Sequence, residues 1–121
     1  MKNIFLLGAS GSIGKQVIDI LKMYPDKYNL KAVSVGENID YLKQILREFN
    51  VEFASVKNKE DLLELEKEFP HINFGYGDDG LIQVATYSNE NGVVINAVVG
   101  MVGLIPTIEA IKKRRDILLA N

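Results

Sequence analysis

A chain of 121 residues is the size of one domain, long enough to bury a core without covalent staples. Its 14 Lys+Arg against 16 Asp+Glu give a net charge of -2, which argues against a nucleic-acid coat or a polybasic membrane binder. There is no cysteine, so disulfides, cysteine-ligated metals and thiol nucleophiles are excluded, and the single His71 cannot make a multi-histidine site.

In chain order, Lys2–Leu7 reads as a buried first strand, followed by the glycine run Gly8-Ala9-Ser10-Gly11-Ser12-Ile13-Gly14. A helix starts near Ser12, with Ile13, Val17, Ile20 and Leu21 as its inward face, and Pro25-Asp26 ends it. Residues 30–35 alternate as a second strand that stops at Gly36. Asn38 or Asp40 caps a helix with Leu42, Ile45, Leu46 and Phe49 inward, and Phe53–Val56 is a short third strand. A charged helix begins at Asn58, carries Leu62, Leu65 and Phe69 on one side, and closes at Pro70. Residues 73–76 suit another short strand, and Asp78 or Asp79 a helix cap. Val93–Val99 reads as a strong buried strand. It runs on through glycines to a helix with Pro106 in its first turn and Ile108 and Ile111 inward. Residues 116–120 make a last strand.

The N-terminal apolar run is too short for a signal peptide. Residues 93–105 are too short for a bilayer span and are interrupted by Asn96 and glycines. The expectation is a cytoplasmic protein with no membrane or nucleic-acid partner.

Strands alternate with helices throughout, which predicts an α/β fold: a Rossmann-like three-layer αβα sandwich with a mainly parallel sheet. Ligands bind such sheets at the carboxyl ends of the strands. Three loops then share one edge: Gly8–Gly14, Gly36-Glu37-Asn38 and residues 99–103.

Two phosphate-binding chemistries compete for the glycine run. A P-loop places Ala9 at its first glycine and Gln16 at its metal-binding Ser/Thr, so both positions fail. A dinucleotide loop needs strand, glycines, helix and a second strand ending in a ribose-facing residue, and all are present. Ser10 and Ser12 offer hydroxyls to phosphate, and Ser12 is also placed to cap the helix. Gly36 supplies a turn beneath an adenosine or simply stops the strand. A carboxylate at Glu37 points to the ribose hydroxyls of NAD, or is a solvated surface charge. Lys112-Lys113-Arg114-Arg115 complements a helix C-terminus. No tyrosine is followed four residues later by lysine, so the Tyr-x-x-x-Lys pair of short-chain dehydrogenases is absent.

The glycine loop, Val35-Gly36-Glu37-Asn38, the run from Asn96-Ala97-Val98-Val99-Gly100 to Gly103-Leu104-Ile105-Pro106-Thr107, and the closing Leu118-Leu119-Ala120-Asn121 resemble 1-deoxy-D-xylulose 5-phosphate reductoisomerase, in order and register. The resemblance implies an NADPH-binding domain over residues 1–121. The parent enzyme would also use magnesium or manganese to rearrange and reduce 1-deoxy-D-xylulose 5-phosphate to 2-C-methyl-D-erythritol 4-phosphate in non-mevalonate isoprenoid biosynthesis. It implies cofactor contacts at Ser10, Gly11, Ser12, Ile13, Gly36, Asn38 and Asn121, with Gly8 and Glu37 added by the loop reading. The family position matching Glu37 is often basic, which suits a 2′-phosphate. Glu37 departs from that, so backbone groups or a nearby lysine are left to receive the phosphate, and NADH remains the alternative.

The family's metal ligands, lid and substrate-phosphate site lie beyond residue 121, so no catalytic or metal residue is expected here, and the parent is expected to be a homodimer. The alternatives are the cofactor half of another NAD(P)-dependent dehydrogenase and a non-enzymatic dinucleotide-sensing module.

Overall fold

The structure is a computed structural model that describes residues 1–120. Six parallel strands form one sheet: β1 (Lys2–Leu7), β2 (Tyr28–Ser34), β3 (Phe53–Val56), β4 (Asn73–Tyr76), β5 (Gly92–Asn96) and β6 (Asp116–Leu119). Their order is β4-β3-β2-β1-β5-β6. The helices are α1 (Ser12–Met23), α2 (Ile39–Glu48), α3 (Leu62–Glu68), α4 (Gly77–Ala85) and α5 (Leu104–Lys112). The chain builds outward from β1 to β4, then returns to lay β5 on the other side of β1. Strand order therefore reverses between β1 and β5, where a crevice opens at the carboxyl ends.

Period-two alternation sends the β1 side chains into two cores. Ile4 and Leu6 join Ile18, Leu21, Leu42, Ile45 and Leu65 under α1, α2 and α3. Phe5 and Leu7 join Val84, Ala85, Val94 and Ala110 under α4 and α5. Burying a side chain such as Phe5 or Leu7 contributes about 1.5–3 kcal/mol relative to leaving it exposed, so the central strand holds both layers to the sheet. The sandwich is αβα as expected from the alternation, and its sheet is wholly parallel among the described residues.

Several local expectations are corrected. The inward stripe of α1 is Gly14, Ile18 and Leu21 with Val17 half-buried; Ile13 and Ile20 are 38% and 51% exposed. Close approach at Gly14 turns the helix so that Ile18 takes the core position. On α5 the buried residues are Pro106 and Ala110, while Ile108 and Ile111 lie exposed. The charged segment after Asn58 opens with a short 3-10 turn before α3. Asp78 and Asp79 lie in the first turn of α4, whose N-cap is Tyr76. β5 ends at Asn96 rather than Val99, because the Asn96 side chain takes over the hydrogen bonding there.

β2 is buried through its carboxyl half rather than alternating. Lys31 in its middle is neutralised at the sheet's lower rim by Glu52 (2.9 Å) and Glu90. The hydrogen bond from Lys31 is the largest influence on Glu52 and, with one from Tyr87, holds its carboxyl below the usual range against the opposing effect of burial.

Arg115 is the other polar residue inside. Arg114 adopts φ 63°, and the turn closes with Arg114 N–H to Ile111 O (2.8 Å) and Arg115 N–H to Ala110 O (3.1 Å), a Schellman-type stop with arginine where glycine is usual. That turn swings Arg115 inward to 6% exposure, its guanidinium 3.8 Å from the Phe5 ring centroid. It donates to the carbonyls of Ala85 (2.9 Å), Tyr87, Ser88 (2.9 Å) and Glu90 (3.0 Å). Arg115 thus caps the carboxyl end of α4 rather than that of its own helix.

Replacing Arg115 by Met strands these carbonyls and is expected to cost about 3 kcal/mol or more in urea unfolding, with R115K recovering only part because it lacks the planar fork. Glu52 with a lowered folded-state pKa contributes stability that is present above its unfolded pKa and is lost as pH falls through the lower folded value. E52Q is therefore expected to flatten the acid-side loss of stability below about pH 4, read by thermal melting across a pH series.

Candidate functional site

The crevice beside β1 starts with a sharp turn. Gly8 adopts φ 81°, and a Cβ there would stand 3.0 Å from the Val98 backbone nitrogen. Its N–H donates to Ser34 Oγ (2.9 Å), and the Ala9 N–H donates to Ser34 O (2.8 Å). Ser34, at the end of β2 and almost wholly buried, clamps the loop to the neighbouring strand.

The three glycines have different surroundings. At Gly14 a Cβ would lie 2.0 Å from Gly8 O and 2.7 Å from the Ala9 carbonyl carbon, so α1 rests directly on the loop backbone. At Gly11 the nearest such atom is 3.9 Å away, so nothing inside the protein demands glycine there. Gly11 is the N-cap of α1 and carries no capping side chain; Ser12 is the first helical residue, which corrects its reading as the cap. The first-turn amides of Ser12, Ile13 and Gly14 have no partner within the helix, and the positive end of the helix dipole lies beside them.

At the end of β2, the Gly36 carbonyl accepts from the Lys57 N–H (3.1 Å), and a Cβ at Gly36 would meet nothing within 4 Å. Asn38 caps α2, accepting from the Tyr41 N–H at 3.1 Å. Glu37 projects outward and pairs with Lys57 at 3.2 Å.

The third loop is set by Asn96, which is 5% exposed. Its Oδ1 accepts from the Val98 N–H (3.0 Å), and its Nδ2 donates to Thr107 Oγ1 (3.0 Å) on α5. A Cβ at Gly103 would come within 2.5 Å of that amide, so Gly103 is matched to the asparagine. The cross-link ends the strand and sends residues 97–99 over the crevice.

Together these loops enclose a cleft of about 390 Å³, lined among others by Gly8, Gly11, Gly36, Lys57, Asp78 and Val98. This volume is within the range of small-molecule sites. Of the residues singled out in the sequence, Gly8, Gly11 and Gly36 line it. Ser10, Ser12, Ile13, Glu37 and Asn38 stand on the same two loops without lining it; Asn121 lies outside the described residues.

Sequence reasoning missed Ser34, Lys57, Asp78 and Asn96. Only Asn96 carried a signal, as a polar residue inside a Val/Ile run. Among the described residues no group of three or more His, Asp or Glu is placed to hold a metal ion.

The family model for 1-deoxy-D-xylulose 5-phosphate reductoisomerase matches residues 4–121. The chain is 47% identical over 121 residues to 1-deoxy-D-xylulose 5-phosphate reductoisomerase 2 of Bacillus thuringiensis subsp. konkukian, covering all of this chain and 32% of that protein. It is 44% identical to the reductoisomerase of Macrococcus caseolyticus, again over all of this chain and 31% of the relative.

Among solved structures, a DOX-P reductoisomerase in complex with NADPH, fosmidomycin and magnesium superposes with a TM-score of 0.91 at 28% identity, covering all of this chain and 30% of that one. The Zymomonas mobilis enzyme in complex with NADPH gives 0.87 at 25% identity, over 99% of this chain and 32% of that one. The chain thus spans about a third of the length of the relatives it matches.

The glycine contacts make a stability prediction. Gly14→Ala must push α1 off the Gly8 carbonyl and is expected to cost about 1–3 kcal/mol in denaturant unfolding. Gly11→Ala, built into open space at ordinary backbone angles, is expected to stay within about 1 kcal/mol of the parent chain.

Proposed function

The chain belongs to the 1-deoxy-D-xylulose 5-phosphate reductoisomerase family, and from that membership and the cleft geometry we propose that residues 1–121 are its NADPH-binding domain. The observation that carries this is the contrast among the glycines. Gly8 and Gly14 are consumed by internal packing, while Gly11 and Gly36 leave open space at the switch point of a parallel sheet. This division matches the roles such glycines have in dinucleotide loops: tight turn, close approach of the pyrophosphate, and helix packing.

In this assignment the amides of Ser12, Ile13 and Gly14 and the hydroxyls of Ser10 and Ser12 hold the pyrophosphate. The adenosine ribose lies over Gly36, with Glu37 and Asn38 beside it. Asn121 takes the family's cofactor contact. The apolar walls from Val98 and Val102 keep water from the ring systems. NADPH supplies the hydride that reduces the rearranged intermediate, and this chain's part is to bind and orient it.

The rest of the activity is assigned to the remaining two-thirds of a relative-length protein: the magnesium or manganese ligands, the substrate phosphate clamp, and conversion of 1-deoxy-D-xylulose 5-phosphate to 2-C-methyl-D-erythritol 4-phosphate in isoprenoid biosynthesis. Val99, Met101, Ile105, Ile111 and Leu119, on residues 99–101, α5 and β6, are exposed apolar residues, which suits docking against that remainder. No helix among the described residues is long and apolar enough to cross a membrane. The parent enzyme is assigned as a cytoplasmic homodimer.

Calorimetric titration of the chain with NADPH tests the binding assignment. Saturable binding is expected, weakened at least about tenfold by Gly11→Val, whose side chain occupies the space of the approaching phosphate. A full-length protein containing this chain is expected to oxidise NADPH when given 1-deoxy-D-xylulose 5-phosphate and manganese; failure to do so would leave the other dehydrogenase or sensor readings in place.

A further inference from the structure

Glu37 occupies the position after β2 where a carboxylate receives ribose hydroxyls and repels a 2′-phosphate. It does not stand alone. Lys57, the residue after β3, places its Nζ 3.2 Å from Glu37 Oε1. The backbones beneath them are tied, since the Lys57 N–H donates to Gly36 O at 3.1 Å. Lys57 is among the residues that line the cleft and Glu37 is not. The other lysines toward this end of the sheet are engaged with rings: Lys15 over Tyr41 at 5.2 Å and Lys59 over Tyr76 at 5.8 Å.

We propose that Lys57 receives the 2′-phosphate of NADPH, and that the Glu37–Lys57 pair determines the choice between NADPH and NADH by exchanging partners. The proposal rests on the dinucleotide reading above. With side chains 64% and 69% exposed, the Lys57–Glu37 pair is a surface ion pair of small net worth, so releasing it costs little. A phosphate monoester near neutral pH carries about -1.5 to -2 charges and strong acceptor oxygens, against -1 for the carboxylate. Lys57 therefore leaves Glu37 for the phosphate when NADPH binds. With NADH the pair stays closed, and the second Glu37 oxygen accepts from a ribose hydroxyl. Glu37 opposes the phosphate and Lys57 attracts it, so the selectivity follows from the charge of the pair rather than of position 37.

The test is a set of side-by-side titrations of the chain with NADPH and NADH at low and high salt. Lys57→Met is expected to weaken NADPH about tenfold, the size of one lost charge-assisted hydrogen bond, with NADH held within about twofold. Lys57→Glu should weaken NADPH further, and the charge-swapped E37K/K57E chain should recover it. The NADPH preference should shrink as salt rises. Both residues are exposed, so the variants are expected to melt within a few degrees of the parent chain, which separates binding from folding.

Equal effects of K57M on the two nucleotides, no effect on either, or no recovery in the swapped chain would overturn the proposal. If the unsubstituted chain binds neither nucleotide, the dinucleotide reading itself falls, and this inference with it.

Discussion

The Gly8 carbonyl and the start of α1 share space that admits no side chain. A Cβ on residue 14 would lie 2.0 Å from that oxygen. This contact seats the first turn of α1 on the strand that precedes it, and with it the free amides and dipole at the helix start. It also sets the rotation of the helix: once Gly14 faces the loop, Ile18 and Leu21 fall into the core and Ile13 and Ile20 are carried outward. Ser34 locks the arrangement from the other side by holding Gly8 and Ala9 to β2. An anion site made from backbone groups depends on such rigidity, because the groups cannot be re-aimed by rotamer changes.

Buried polar side chains fix the two edges of the sheet, one at the crevice and one away from it. At the crevice, Asn96 ends β5 and ties it to α5; at the amino-terminal edge of the sheet, Arg115 gathers the carbonyls at the end of α4. Burying such groups is tolerable only because each is hydrogen-bonded. The result is directional: apolar packing alone would hold α4 and α5 against the sheet without setting where their loops begin and end. Loop position in the cleft is therefore inherited from the Asn96 amide, which does not itself line the cleft, while the Arg115 guanidinium fixes the connection at the opposite edge of the sheet.

Much of the architecture was legible in the chain. Apolar runs separated by capped, periodic segments gave the order of strands and helices, and the glycine run marked the crevice. What sequence spacing could not resolve was which of two adjacent positions turned inward. Ile108 and Ile111 read as core on α5, but Pro106 and Ala110 pack there. Arg115 read as one of four equivalent cations. Its distinction depends on the left-handed backbone of Arg114 and on carbonyls 25–30 residues away.

Glu37 shows the same limit where it matters for function. Taken within its own loop, the residue is a single negative charge and argues for NAD. In the folded chain, parallel pairing of β2 with β3 brings Lys57, separated by 20 residues, to the same edge. A ligand approaching that edge meets an ion pair, one member of which, Lys57, is among the residues that line the cleft. The charge at such a sheet edge is thus a property of neighbouring strand ends, and the charge of a loop after one strand is incompletely read until the residue following the next strand is placed beside it.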